Sequence, residues 1–312
     1  MFEVIIEKNC DNRENVCNAT NMIIEEIKEK VALNNLKSLK YFVVADMDSK
    51  KYKKTVENYQ KILCCNVSIT SNTTYEGGGI TLQGISEDKE FVQAVIVKSG
   101  IVCEMCCDLL NKSGKYKINV PNSIKDMGLV LIYHEIGHVI DNQNIYTMRG
   151  KINDKFIYNL NTHCECNEWL EENVYSLWGE YYAQCFSLRY ADVTEKVYMI
   201  NKKQLEDCIQ SYCIESYKKE QKKKFVTERI YRIIYFFMHC LAYDHNNDNT
   251  NFNYTQFEMD ARAKQYIPYM KEIETEIINM YNTYPNWKEK VYVKNFVNTI
   301  DKLFQFEMEN YY

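Results

Sequence analysis

Hydrophobic positions recur at helical spacing along most of this chain, and strand-like runs are confined to its first third. Val16, Ile23, Ile24, Ile27 and Val31 mark an amphipathic helix over residues 12–34. Residues 41–45 (Tyr-Phe-Val-Val-Ala) form a short, almost wholly apolar strand, and a polar helix follows near 49–62. Further strands are predicted at 66–71, at 79–84 after the glycine turn that ends at Gly79, and at 92–98, with a helix over 101–112. Pro121, Asn122 and Ser123 read as a turn and helix cap. Ile124, Met127, Leu129, Val130, Leu131, Ile132, Ile136, Val139 and Ile140 then describe a largely buried helix. Residues 142–168 are polar and rich in Asn, Asp and Lys, the pattern of a loop or hairpin insertion. The segment 178–191 is helical in pattern, and with the preceding Leu177 it sets Tyr181, Gln184, Cys185 and Leu188 in one stripe. Beyond it the pattern is helical at 202–222, 225–244, 255–282 and 287–308, punctuated by Pro268 and Pro285, with an Asn-rich loop at 244–253. The expected architecture is α+β: a domain at 1–191 with a small mixed sheet, and a mainly helical subdomain at 192–312.

Composition narrows the function classes. With 312 residues, 46% of them hydrophobic, the chain can bury a sizeable core; three prolines and ten glycines suit a mainly helical protein. A net charge of −5 leaves no electrostatic footprint for nucleic acid, and the basic run at 218–224 is a solvated helix face. The longest apolar run, residues 233–243, is too short to span a membrane. Thirteen cysteines, an odd number with adjacent pairs at Cys64-Cys65 and Cys106-Cys107, make a poor disulfide framework. Charges within residues 1–8 interrupt any signal-like segment, so reduced thiols and a cytoplasmic location are expected. Cys103, Cys106 and Cys107 with His163, Cys164 and Cys166 could share a structural metal, although the first group reads as one helix face.

The chemistry concentrates in His134-Glu-Ile-Gly-His138. Two histidines four apart on a helix project onto one face, close enough to share a metal ion. Glu135 stands at the rim of the same site, where it can take a proton from metal-activated water. Burying these three groups in an apolar helix without a cation would be costly. A catalytic zinc needs a third protein ligand and one open position. Asp141 stands where a downstream glycine motif would need Gly, which leaves a distant histidine (His163, His239 or His245) or a glutamate on a later helix. Glu180 is favoured, because Ala183 one turn later lets two helices approach closely. Glu165, Glu168, Glu171 and Glu172 compete with it, and His163 is the leading histidine. Asp141 and Gln184 lie one turn beyond His138 and Glu180, where they can orient the ligands.

His134–His138 followed by Glu180, Ala183 and Phe186 resembles the gluzincin zinc metallopeptidases, most closely the phage- and mobile-element-associated ImmA/IrrE-like branch. The resemblance implies a zincin-like fold over roughly residues 40–191 and Zn²⁺ held by His134, His138 and Glu180. It also implies Glu135 as general base for hydrolysis of a peptide or protein substrate, which an edge strand (79–84 or 92–98) would hold. His239, on the apolar helix 230–243, is the candidate donor to the oxyanion, with nearby tyrosines as alternatives. A second class is a catalytically inactive zincin-like regulatory or binding protein, against which Glu135 speaks, since a structural site has no need of it.

Overall fold

Apolar side chains on both faces of residues 42–45 can be buried only if both faces of the strand are covered, and they are. The computed structural model describes residues 2–8, 10, 12–64, 78–114, 127–149, 167–191, 195–211, 219–247, 252–287 and 291–310. The strand expected at 66–71, the turn and cap at 121–126, and His163, Cys164 and Cys166 lie outside the described residues. Two compact units divide the chain: Met1–Ile152 with Phe186–Thr194, and Asn153–Cys185 with Glu195–Tyr312.

In the first unit the chain runs β1 (Glu3–Ile6), α1 (Arg13–Lys30), β2 (Leu39–Ala45), α2 (Ser49–Ile62), β3 (Gly79–Ile85), β4 (Phe91–Lys98), α3 (Ser99–Glu104), α4 (Cys107–Lys112) and α5 (Met127–Arg149). The sheet order is β1-β2-β4-β3, with β1, β2 and β4 parallel and β3 antiparallel along β4. The fold is therefore mixed α and β, built on a small mixed sheet. Among the described residues β3 is an outer strand and β4 an inner one, which separates the two edge candidates.

Alternation along the strands assigns their faces. Val92, Ala94 and Ile96 of β4 and Leu82 of β3 pack with Tyr52, Val56 and Tyr59 of α2. The opposite face meets α5, where Gln93 of β4 donates to the Val139 carbonyl at 2.8 Å.

Two expectations change in this unit. The helix expected over 101–112 is two short helices. The Met105 carbonyl accepts the Gly128 N–H at 2.8 Å, and Cys106 Sγ donates to the Ile101 carbonyl at 3.3 Å. Residues 142–149, expected as loop, continue α5. Two of their polar side chains are used inward: Gln143 accepts from Ser38 N at 3.1 Å and Ser38 Oγ at 2.8 Å, and donates to Asn34 O at 3.1 Å. Asn142 donates to Gln93 Oε1 at 3.0 Å. Polar composition signalled solvent here, whereas the groups are satisfied within the fold.

Helix α6 spans Asn167–Tyr190. Its final turn is held in the first unit, where Tyr190 stacks on Tyr133 with ring centroids 5.2 Å apart.

The second unit continues through α7 (Glu195–Gln210), α8 (Lys219–Asn246), α9 (Thr255–Glu258), α10 (Ala263–Thr283) and α11 (Val291–Asn310). Helix α7 begins before 202, and α8 absorbs 244–246 from the expected loop. The helix expected over 255–282 divides after α9, because Asp260 caps α10 by accepting from Arg262 N at 2.9 Å and Ala263 N at 2.7 Å. Pro268 lies within α10 and does not end it. Buried Trp178 is packed by Trp287 and Tyr284, at centroid distances of 4.9 and 5.2 Å. No helix among the described residues is long and apolar enough to cross a membrane.

Nearby, the Tyr181 hydroxyl lies 2.6 Å from His245 Nδ1. Burial holds the His245 pKa below the ordinary imidazole value, with Glu274 partly opposing. The unfolded chain then takes up a proton near pH 6.5, while the folded protein resists until lower pH. Stability from this group is complete above the unfolded value and lost as pH falls through that window. Thermal melts from pH 7.5 to 5 are expected to show a smaller decline for His245→Gln than for wild type; parallel curves would refute this.

Candidate metal centre

The turn of α5 from His134 to His138 places both imidazoles on one side, with Nε2 of each 3.1 Å from the other and the rings at 86°. Two nitrogens sharing one tetrahedral zinc at its usual bond lengths stand about 3.3 Å apart, so the observed spacing suits a shared ion. Glu180 supplies a third group from α6. One potential ligand atom from each of His134, His138 and Glu180 lies within 4.8 Å of the other two. Among the described residues this is the one group of three or more such side chains that could hold a metal. All three are half-buried. Ala183, one turn on from Glu180, is fully buried and adds only a methyl to its helix. Two nitrogens and one carboxylate oxygen form a borderline donor set that matches zinc and leaves a coordination position for a small molecule.

Glu135 is only 6% exposed. The Thr81 hydroxyl of β3 lies 2.7 Å from its Oε2 and 3.0 Å from its main-chain carbonyl. Two glycines leave little room between strand and helix. A Cβ on Gly79 would meet Glu135 Cγ at 3.2 Å, and one on Gly78 would meet Leu131 Cδ2 at 2.9 Å. Behind the site, fully buried Gln93 ties β4 both to Val139 O and to Ser38 Oγ, the latter at 2.9 Å. Gln93 thus anchors α5 one residue beyond His138 and holds the helix at fixed depth against the sheet.

On the α6 side, His239 Nε2 of α8 lies 3.6 Å from Glu180 Oε2, and its ring packs on Tyr235 at 4.5 Å. Tyr231, one helical repeat earlier, lies 3.2 Å from Ser176 Oγ. Burial, reinforced by the Glu180 charge, pushes the Tyr231 pKa up to about 12, so it keeps its proton at neutral pH.

Of the residues singled out in the sequence, His134, His138 and Glu180 come together, Glu135 stands beside them on α5, and His239 faces Glu180. His245 is taken up by Tyr181. Asp141 and Gln184 are both buried. His163, Glu165 and the side chains of Glu168, Glu171 and Glu172 lie outside the described residues. The suggested cysteine site needs His163, Cys164 and Cys166, which lie outside the described residues. Thr81, Gly79 and Gln93 carry no local sequence signal, since residues 79–83 (Gly-Ile-Thr-Leu-Gln) and 91–94 (Phe-Val-Gln-Ala) both read as ordinary strand. No known protein family, curated protein or solved structure matches this chain.

Proposed function

We propose that this protein is a zinc-dependent endopeptidase of the gluzincin type, with a zincin-like catalytic domain. The observation that carries the reading is the convergence of His134, His138 and Glu180 within 4.8 Å, with a glutamate directly after the first histidine. His134, His138 and Glu180 would hold the ion. A zinc held there supplies Lewis acidity toward a water molecule and a scissile carbonyl.

The chain's own groups do the rest. The Glu135 carboxylate takes a proton from the attacking water as the oxygen adds to the carbonyl carbon. It then delivers that proton to the departing amine nitrogen as the C–N bond breaks. His239, beside Glu180, donates to the oxyanion. Outer strand β3 offers its backbone to an extended peptide substrate, a form of strand addition.

Purified protein dialysed against micromolar zinc is expected to retain one zinc per chain by atomic absorption. Glu180→Ala should retain roughly a tenth of that or less. A mixed-sequence peptide library should be cut by the wild type, spared after treatment with 1,10-phenanthroline, and cut again on adding zinc. A wild-type chain with no bound zinc, or cleavage indifferent to chelation, would rule the reading out.

A further inference from the structure

We propose that Thr81 is a positioning residue for Glu135: its hydroxyl fixes the carboxylate in the orientation needed for proton transfer. The inference rests on the metallopeptidase reading and goes beyond it, because it assigns a role to a strand residue outside the metal-binding helices.

The Thr81 hydroxyl carries one proton and faces two acceptors on the same residue, Oε2 at 2.7 Å and the main-chain carbonyl at 3.0 Å. A donor shared in this way ties the end of a flexible side chain to its own backbone and removes the rotations that would swing the carboxylate away.

Two features keep the hydroxyl in place. Thr81 is paired with Val95 in the β3–β4 ladder, so its position along α5 is set by main-chain hydrogen bonds. Gly79 lies on the same strand face, and a side chain there would press on the Glu135 stem, at 3.2 Å from Cγ. Threonine suits this place because its methyl group and restricted χ1 hold the hydroxyl in one rotamer. Groups that orient the working residues of a metal site change affinity or activity by about 10–100-fold when removed.

Acetohydroxamate tests the role without knowledge of the natural substrate. It chelates zinc and passes its hydroxyl proton to the adjacent carboxylate, so its affinity reads the disposition of Glu135. Isothermal titration of the full-length zinc protein is expected to give about 10-fold weaker binding for Thr81→Val, with zinc content and melting temperature unchanged. Thr81→Ala should show the same loss, Thr81→Ser should return to within about twofold of wild type, and Glu135→Gln should bind weakest of all. On any peptide the wild type cleaves, Thr81→Val should lower kcat with little change in KM.

If Thr81→Val binds like wild type while Glu135→Gln is weakened, the Thr81 assignment is wrong and the peptidase reading stands. Loss of zinc or of folding in both Thr81→Val and Thr81→Ala also overturns it, since Thr81 would then be a structural residue. If Glu135→Gln itself binds like wild type, the peptidase reading fails and the Thr81 assignment goes with it.

Discussion

Glu135→Gln is expected to keep its zinc and its melting temperature while losing peptide hydrolysis by a factor of about 10²–10⁴. The amide matches the carboxylate in shape and can still accept from the Thr81 hydroxyl, so strand and helix remain joined. It cannot take a proton from water at neutral pH or hand one to the leaving amine. Because Glu135 is not among the three grouped ligands, metal content should be unaffected. His138→Ala, in contrast, should lose metal and activity together. The informative measurement pairs zinc stoichiometry with cleavage rate on the same preparation. A fully metallated Glu135→Gln protein cutting at the wild-type rate would remove the basis for general-base catalysis here.

The largest expected effect on stability lies in the second unit, in the buried trio Arg229, Tyr266 and Glu307. The Arg229 and Glu307 side chains are 3% and 0% exposed. Arg229 Nη2 donates to Ile209 O at 2.7 Å and to the Tyr266 hydroxyl oxygen at 2.9 Å, while Nη1 stands 3.6 Å from Glu307 Oε2. The Tyr266 hydroxyl in turn donates to Glu307 Oε1. Burial drives the Glu307 pKa upward against the pull of Arg229, and burial likewise lowers the Arg229 pKa. Each charge is therefore tolerated because of the other. Arg229→Met leaves a carboxylate in an apolar interior and is expected to cost about 3–5 kcal/mol. The double exchange Arg229→Met with Glu307→Leu removes both charges at similar volume and should recover most of that loss. Urea denaturation of the two single variants and the double variant closes the cycle. Additive losses would show that the groups do not depend on one another.

What could be read from the sequence was what local geometry controls. His134 and His138 share a helix face because 3.6 residues per turn bring positions four apart together, whatever surrounds them. Residues 41–45 and 92–98 announce strands through short, mostly apolar and β-branched runs, and the helical spacing of the stripe from Leu177 to Leu188 announces α6. Ala183, beside Glu180, already hinted at close helix packing.

Only the tertiary structure decided which distant groups meet. Nothing periodic links residue 180 to residue 134, and the other glutamates near it have equal chemistry. Among the described residues, Glu180 is the one whose carboxylate oxygen lies within 4.8 Å of a ring nitrogen of each histidine. Thr81 reaches Glu135 because β3 is antiparallel to β4 and lies close to α5 over paired glycines, a register set by non-local hydrogen bonds. The same applies to residues 142–149. Their polarity favours a loop when read along the chain, yet they are helical, with Asn142 and Gln143 satisfied by Ser38, Asn34 and Gln93, remote in sequence. Spacing within one element is a property of the backbone, whereas proximity between elements is settled by burial and hydrogen bonding across the whole fold.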